Sequence, residues 1–316
     1  MKKAFIALMW AILFACLGGV VMAGLTLGVA AHHPAPKLLL FMAGLGVMSG
    51  LDVFVMGLCF AWLPGVRPEL GAVRRFGLTQ GLWGIFGMLL AMASGAGLLA
   101  MLRLDINFLR ILAHGSGIPD ISKPGYLVST VLAGELTAAL WIAWYLRFLG
   151  PRYATDGSPR GVAWRPAPRL AYGAAALAAL ALLALVGAVY HLVPPDLSKL
   201  QNMQMAKLFS GPPVTMAAML VVTFFIAPVI EEVAFRGIAF GGIAAELGSG
   251  WAVCITTLLF TAIHAPEKIY YPPGFLDVAL LALISCWLRL RYGSIKPGIL
   301  LHVTYNTGLM LIGPLL

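Results

Sequence analysis

Apolar residues run through this chain in long stretches without two-residue alternation, broken only by short charged or Pro- and Gly-rich segments. The stretch from Leu170, LAYGAAALAALALLALVGAVYHLV, shows the pattern. At about 20 apolar residues per membrane crossing, the segments that qualify lie at roughly 4–31, 38–63, 78–102, 126–149, 170–193, 214–240, 251–265, 275–290 and 297–315. In hydrocarbon, backbone groups must be satisfied within a helix or a closed barrel. Without alternation a barrel does not fit, so the pattern predicts an all-α, polytopic transmembrane helical bundle of about eight to nine spans.

Composition strengthens this reading. The chain is 61% hydrophobic and 10% charged, where soluble domains carry about 25% charged residues. The first apolar stretch exceeds the roughly 7–15 residues of a signal-peptide core, which predicts an uncleaved first span. The net charge of +9 belongs to membrane topology and not to nucleic acid, because basic residues concentrate in cytoplasmic loops. With the N-terminus inside, the inner segments hold 14 Lys and Arg, Arg289 among them, and the outer segments hold 7. The expectation is a multi-pass protein of a prokaryotic plasma membrane with its N-terminus in the cytoplasm.

The linker PRYATDGSPRGVAWRPAPR, from Pro151 to Arg169, carries much of that bias. It suggests an N-terminal bundle over 1–168, a fifth span with a polar connection over 169–210, and a separate C-terminal bundle over 211–316. The polar stretch 194–213 reads as an interfacial helix or a plain loop. Cys16, Cys59, Cys254 and Cys286 sit in apolar runs without a CxxC pair and read as small buried hydrophobes. The partners implied are the lipid bilayer and whatever the site below acts on. Oligomeric state leaves no trace in the sequence.

Ionisable groups inside spans are costly and mark sites. The C-terminal third holds Glu231, Glu232 and Arg236 in the sixth span, His264 at the end of the seventh, and His302 and Asn306 in the ninth. Residues four apart share a helix face, so Glu232 can meet Arg236 and His302 stands one turn from Asn306. Glu231 is turned about 100° from Glu232, which leaves one carboxylate paired and the other free to act. A free carboxylate, two imidazoles and an amide can together hydrolyse an amide bond. The carboxylate serves as base for a water, one imidazole orients it, and the remaining donors stabilise the oxyanion. Pro228 and Pro266 predict bends beside Glu231 and His264 that open the site to water. Each group alone has a plainer reading: a structural ion pair, an interfacial histidine, or interhelical hydrogen-bonding residues. Asp52 and Glu135 are buried carboxylates for which a structural partner is expected. Asp277 and Glu246 fall near span ends and read as solvated.

The motifs Glu231-Glu232-Val-Ala-Phe-Arg236, Phe260-Thr-Ala-Ile-His264 and His302-Val-Thr-Tyr-Asn306 stand in the order EExxxR, FxxxH, HxxxN. In this the chain resembles the CAAX-protease and bacteriocin-processing (CPBP, or ABI) family of intramembrane endopeptidases, over roughly residues 210–316. The resemblance implies hydrolysis of a peptide bond in a protein or peptide substrate at the membrane. Glu231 and His264 would activate water, His302 and Asn306 would stabilise the oxyanion, and Glu232 with Arg236 would support the site. No cofactor is implied by that version. A zinc-dependent version would need two His and a Glu as ligands, and the oxyanion role then leaves too few. The competing function is a non-enzymatic membrane partner, such as a bacteriocin immunity protein or a scaffold.

Overall fold

The computed structural model describes residues 73, 75–114, 124–196, 198 and 211–312. The first two expected spans, Asp52 and most of the 194–213 stretch lie outside the described residues. Regular structure among the described residues is helical throughout, with no strand. In chain order the helices are α1 (Leu78–His114), α2 (Pro124–Leu149), α3 (Pro151–Ala154), α4 (Arg169–Leu192) and α5 (Pro213–Leu247). They continue as α6 (Ser249–Ile263), α7 (Ala265–Lys268), α8 (Gly274–Tyr292) and α9 (Lys296–Ile312). Each expected span from residue 78 onward overlaps one of these helices. Four stretches, Leu78–Gly97, Pro124–Leu149, Arg169–Leu192 and Pro213–Leu247, are long and apolar enough to cross a membrane, and α6 is apolar but shorter. The chain is a multi-pass helical membrane protein.

Breaks between helices follow backbone chemistry. Gly248 separates α5 from α6 at φ 85° and ψ 164°, a conformation essentially reserved for glycine. Gly293 ends α8 in the left-handed conformation at φ 61°, the usual glycine stop. α5 opens with Pro213 in its first turn, where a missing N–H costs nothing.

The described residues divide between two compact units. Those at 87–138 form one, in which Thr137 Oγ1 donates to the Ala91 carbonyl at 2.6 Å and joins α1 to α2. Those at 73–86 and 139–312 form the other, which holds all three motifs. In this second unit α4 buries Ala171, Ala175, Ala179, Leu182, Leu183 and Val186 where it packs on α9 and α8. The near four-residue spacing of these positions is the helix period. Leu170, Leu177 and Leu180 on the same helix stay 58–75% exposed, as lipid-facing residues must. Cys254 corrects the expectation of burial. It is exposed on α6 with Trp251 and Leu258, while Cys286 is buried.

The basic linker is packed against the C-terminal helices. Val162 and Ala163 are fully buried, Ile295 N–H donates to the Ala163 carbonyl at 3.1 Å, and Ser294 Oγ donates to the Arg165 carbonyl at 2.6 Å. Arg289, counted above with the loop cations, is 1% exposed. Its guanidinium stacks 4.1 Å from the Phe240 ring centroid and donates to the Gly161 carbonyl. Gly241 is required beneath this strap, because a Cβ there would collide with the Gly161 carbonyl oxygen.

Candidate active site

α5 carries the first motif, and its geometry departs from a plain α-helix. Two segments, Val222–Ile226 and Glu232–Ala239, adopt the wider π-helical turn, in which each N–H reaches back five residues. Ala227 N–H accordingly bonds to the Val222 carbonyl. In that register the next donor, to the Thr223 carbonyl, would be the N–H of residue 228, and Pro228 has none. Asn306 fills the gap, its Nδ2 donating to Thr223 O at 3.0 Å. Around Pro228 the helix thus changes register and leaves a carbonyl that the third motif satisfies.

All residues of the second π segment are buried. Arg236 Nη1 lies 3.3 Å from Glu232 Oε1, both side chains being at most 1% exposed. The guanidinium also lies over the Phe260 ring, 4.0 Å from its centroid, a stacking worth about 2 kcal/mol when desolvated. Phe260, fully buried, has the Phe235 ring edge-on at 5.3 Å, His264 at 4.6 Å and His302 at 5.8 Å between centroids. One ring thus touches the arginine and both imidazoles.

His264 sits at the joint between α6 and α7, at φ −87° and ψ −2°, a bridge conformation frequent at functional sites. Pro266 follows in the first turn of α7. His264 Nδ1 lies 2.8 Å from the Phe260 carbonyl. A carbonyl only accepts, so Nδ1 carries the hydrogen and Nε2 keeps its lone pair.

His302 brings the acidic pair together. Its Nδ1 lies 3.3 Å from Glu232 Oε1, and its Nε2 lies 3.8 Å from Glu231 Oε2. Glu231 and Glu232 therefore approach opposite nitrogens of one ring, a convergence the sequence reading did not contain. They differ in access: the Glu231 side chain is 18% exposed and that of Glu232 fully buried. Gly298 allows α9 to approach, because a Cβ there would lie 3.0 Å from Glu232 Oε2 and 3.4 Å from Ser285 Oγ. The structure thus gathers Arg236, His264 and His302 around Phe260, with Glu231 and Glu232 reaching His302 and Asn306 tied to Thr223 on α5. Among the described residues no three His, Cys, Asp or Glu side chains are grouped so as to hold a metal ion.

Asp277 departs from its sequence expectation. It is 5% exposed, not solvated. Its Oδ2 accepts from Tyr305 O–H at 2.6 Å and from Lys268 Nζ at 3.3 Å. Both partners stand at no regular spacing from it, so only the tyrosine inside HVTYN offered a hint. Glu246 remains partly exposed, 3.8 Å from Arg75 Nη2. A recess lined by Val186, Tyr190, Pro273, Gly274 and Asp277 lies in the same unit and includes none of Glu231, His264 or His302.

The class defined here is a helical membrane protein whose C-terminal bundle assembles carboxylates, imidazoles and an amide from three helices. Residues 213–308 match the family described as type II CAAX prenyl endopeptidase Rce1-like. That match spans all three motifs and about a third of the chain, and agrees with the resemblance to the CAAX-protease family that the motifs carry. No curated protein and no solved structure matches the chain.

Proposed function

We propose that this protein is an intramembrane endopeptidase that hydrolyses a peptide bond of a protein or peptide substrate with a water activated by Glu231 and His264. The observation that carries the reading is the packing of His264 and His302 on Phe260, with Glu231 Oε2 3.8 Å from His302 Nε2 and Glu232 and Arg236 forming a buried pair. Glu231 has the solvent access that Glu232 lacks, so Glu231 takes the proton of the attacking water. His264, its Nδ1–H committed to the Phe260 carbonyl, turns the Nε2 lone pair to the water's second hydrogen. The resulting hydroxide adds to the substrate carbonyl carbon, and the oxyanion is stabilised by His302 and by the second amide hydrogen of Asn306. Glu231 then passes its proton to the leaving amine as the C–N bond breaks, which restores the carboxylate. A general base of this kind contributes on the order of 10²–10⁴ in rate.

Arg236 and Glu232 cancel each other's charge and hold His302 from its Nδ1 side, which leaves Glu231 free for chemistry. The site operates within a multi-pass protein of the cell membrane, with its N-terminus on the cytoplasmic side. Comparing the membrane proteomes of cells carrying wild-type and Glu231→Ala protein tests the proposal. A cleavage fragment that disappears with the substitution is expected. An unchanged fragment set, with the variant expressed and folded, would leave the chain as a binding partner and overturn it.

A further inference from the structure

Asp277 belongs to none of the three motifs, yet its carboxylate joins the elements that carry two of them. We infer that Asp277 is a positioning residue that fixes His264 relative to His302 and Asn306. The inference rests on the proposed peptidase reading for its kinetic test and on geometry alone for its spectroscopic one.

The geometry runs through a single oxygen. Asp277 Oδ2 accepts from Tyr305 O–H at 2.6 Å and from Lys268 Nζ at 3.3 Å. Tyr305 lies on α9 between His302 and Asn306, so this bond fixes the rotation of the helix that presents both. Lys268 lies one turn beyond His264, and its backbone N–H donates to the His264 carbonyl at 3.1 Å. α7, from Ala265 to Lys268, is a single turn and is too short to hold its own shape. The Lys268–Asp277 contact supplies the tertiary anchor. Gly274 makes room for it, because a Cβ there would sit 2.9 Å from Lys268 Cδ. The other end of the α7–α8 connection is held by Tyr271, whose hydroxyl donates to the Val193 carbonyl at 2.6 Å.

The ammonium explains the charge: Lys268 is only 19% exposed, and a partly buried cation needs a counter-ion. The carboxylate thus binds two independently placed groups, one on the turn that follows His264 and one on the helix that carries His302. Displacing a reacting group by about 1 Å costs on the order of 10² in rate, so a residue that never touches substrate can govern turnover from this position.

The test uses full-length protein in detergent and a quenched fluorogenic peptide spanning the cleavage site found by the proteome comparison. Asp277→Asn is expected to lower kcat about 10–100-fold with KM within about twofold of wild type. Tyr305→Phe and Lys268→Met are expected to lower kcat less, and to add little when combined with Asp277→Asn, because both act through the same oxygen. Full kcat in folded Asp277→Asn, a change confined to KM, or fully additive losses would each overturn the inference. Should Asp277→Asn fail to fold, Tyr305→Phe carries the same kinetic test. Carbon-13 spectra of ring-labelled histidine give a readout independent of peptidase activity. In Tyr305→Phe or Asp277→Asn the His264 and His302 signals are expected to move while that of His191 stays. If wild-type protein cleaves nothing, the peptidase reading fails, and unmoved His264 and His302 signals would separately sink the positioning role.

Discussion

Arg236→Met offers a demanding test of the charge arrangement. The substitution keeps a flexible stem of similar length and removes the guanidinium, which lies 3.3 Å from Glu232 Oε1 and 4.0 Å from the Phe260 centroid. Glu232, fully buried, is left with His302 Nδ1 at 3.3 Å as its remaining partner. Removing one member of a buried ion pair costs about 3–5 kcal/mol. The cation–π stacking is lost with the same charge, so its roughly 2 kcal/mol overlaps with that figure, and about 4 kcal/mol is expected in all. At about 2–4 °C per kcal/mol for a domain of this size, the melting temperature should fall by roughly 8–16 °C. Tryptophan fluorescence of the detergent-solubilised protein measures this directly. Glu232→Met combined with Arg236→Met removes both charges and should regain most of the lost stability, since buried pairs contribute little beyond apolar replacements. Cleavage should remain absent in the double variant, because His302 has lost the carboxylate that holds Nδ1. Arg236→Met melting within about 2 °C of wild type, or a double variant as unstable as the single one, would refute the reasoning.

Asn306→Ala should destabilise the protein by about 1–3 kcal/mol, because the Thr223 carbonyl left without Pro228's missing donor becomes orphaned. The same variant should lower kcat by about 10²-fold or more if its second amide hydrogen serves the oxyanion, and unchanged kcat would remove that role. Treating the enzyme with a strong zinc chelator is expected to leave the cleavage rate unchanged. Loss of activity that added zinc restores would contradict the metal-free mechanism.

How far the sequence could be read depended on the range of the interaction. The helices were legible because hydrocarbon demands long apolar runs, and α4, α8 and α9 begin and end within two or three residues of the predicted limits. The Glu232–Arg236 pair was legible because four-residue spacing survives the change from α to π geometry. The meeting of Glu231 and Glu232 at one imidazole was not. In the wider π turn that begins at Glu232, adjacent side chains splay less than on an α-helix, and a ring from α9 inserts between them. Arg289 and Asp277 were misjudged for another reason. Both fall near helix ends where solvent is the default, and only long-range partners, the Gly161 carbonyl for one and Lys268 with Tyr305 for the other, bury them. Cys254 shows the converse: in a membrane protein an apolar run does not distinguish the lipid face from the core.

The most direct measurement of the central claim compares purified wild type with Glu231→Gln on one cleavable peptide, with melting temperatures recorded in parallel. The glutamine keeps the shape of a side chain already 18% exposed but cannot accept a proton. The account predicts a loss of at least about 10²-fold in kcat with melting within about 2 °C of wild type. A folded Glu231→Gln protein that cleaves at the wild-type rate would contradict it.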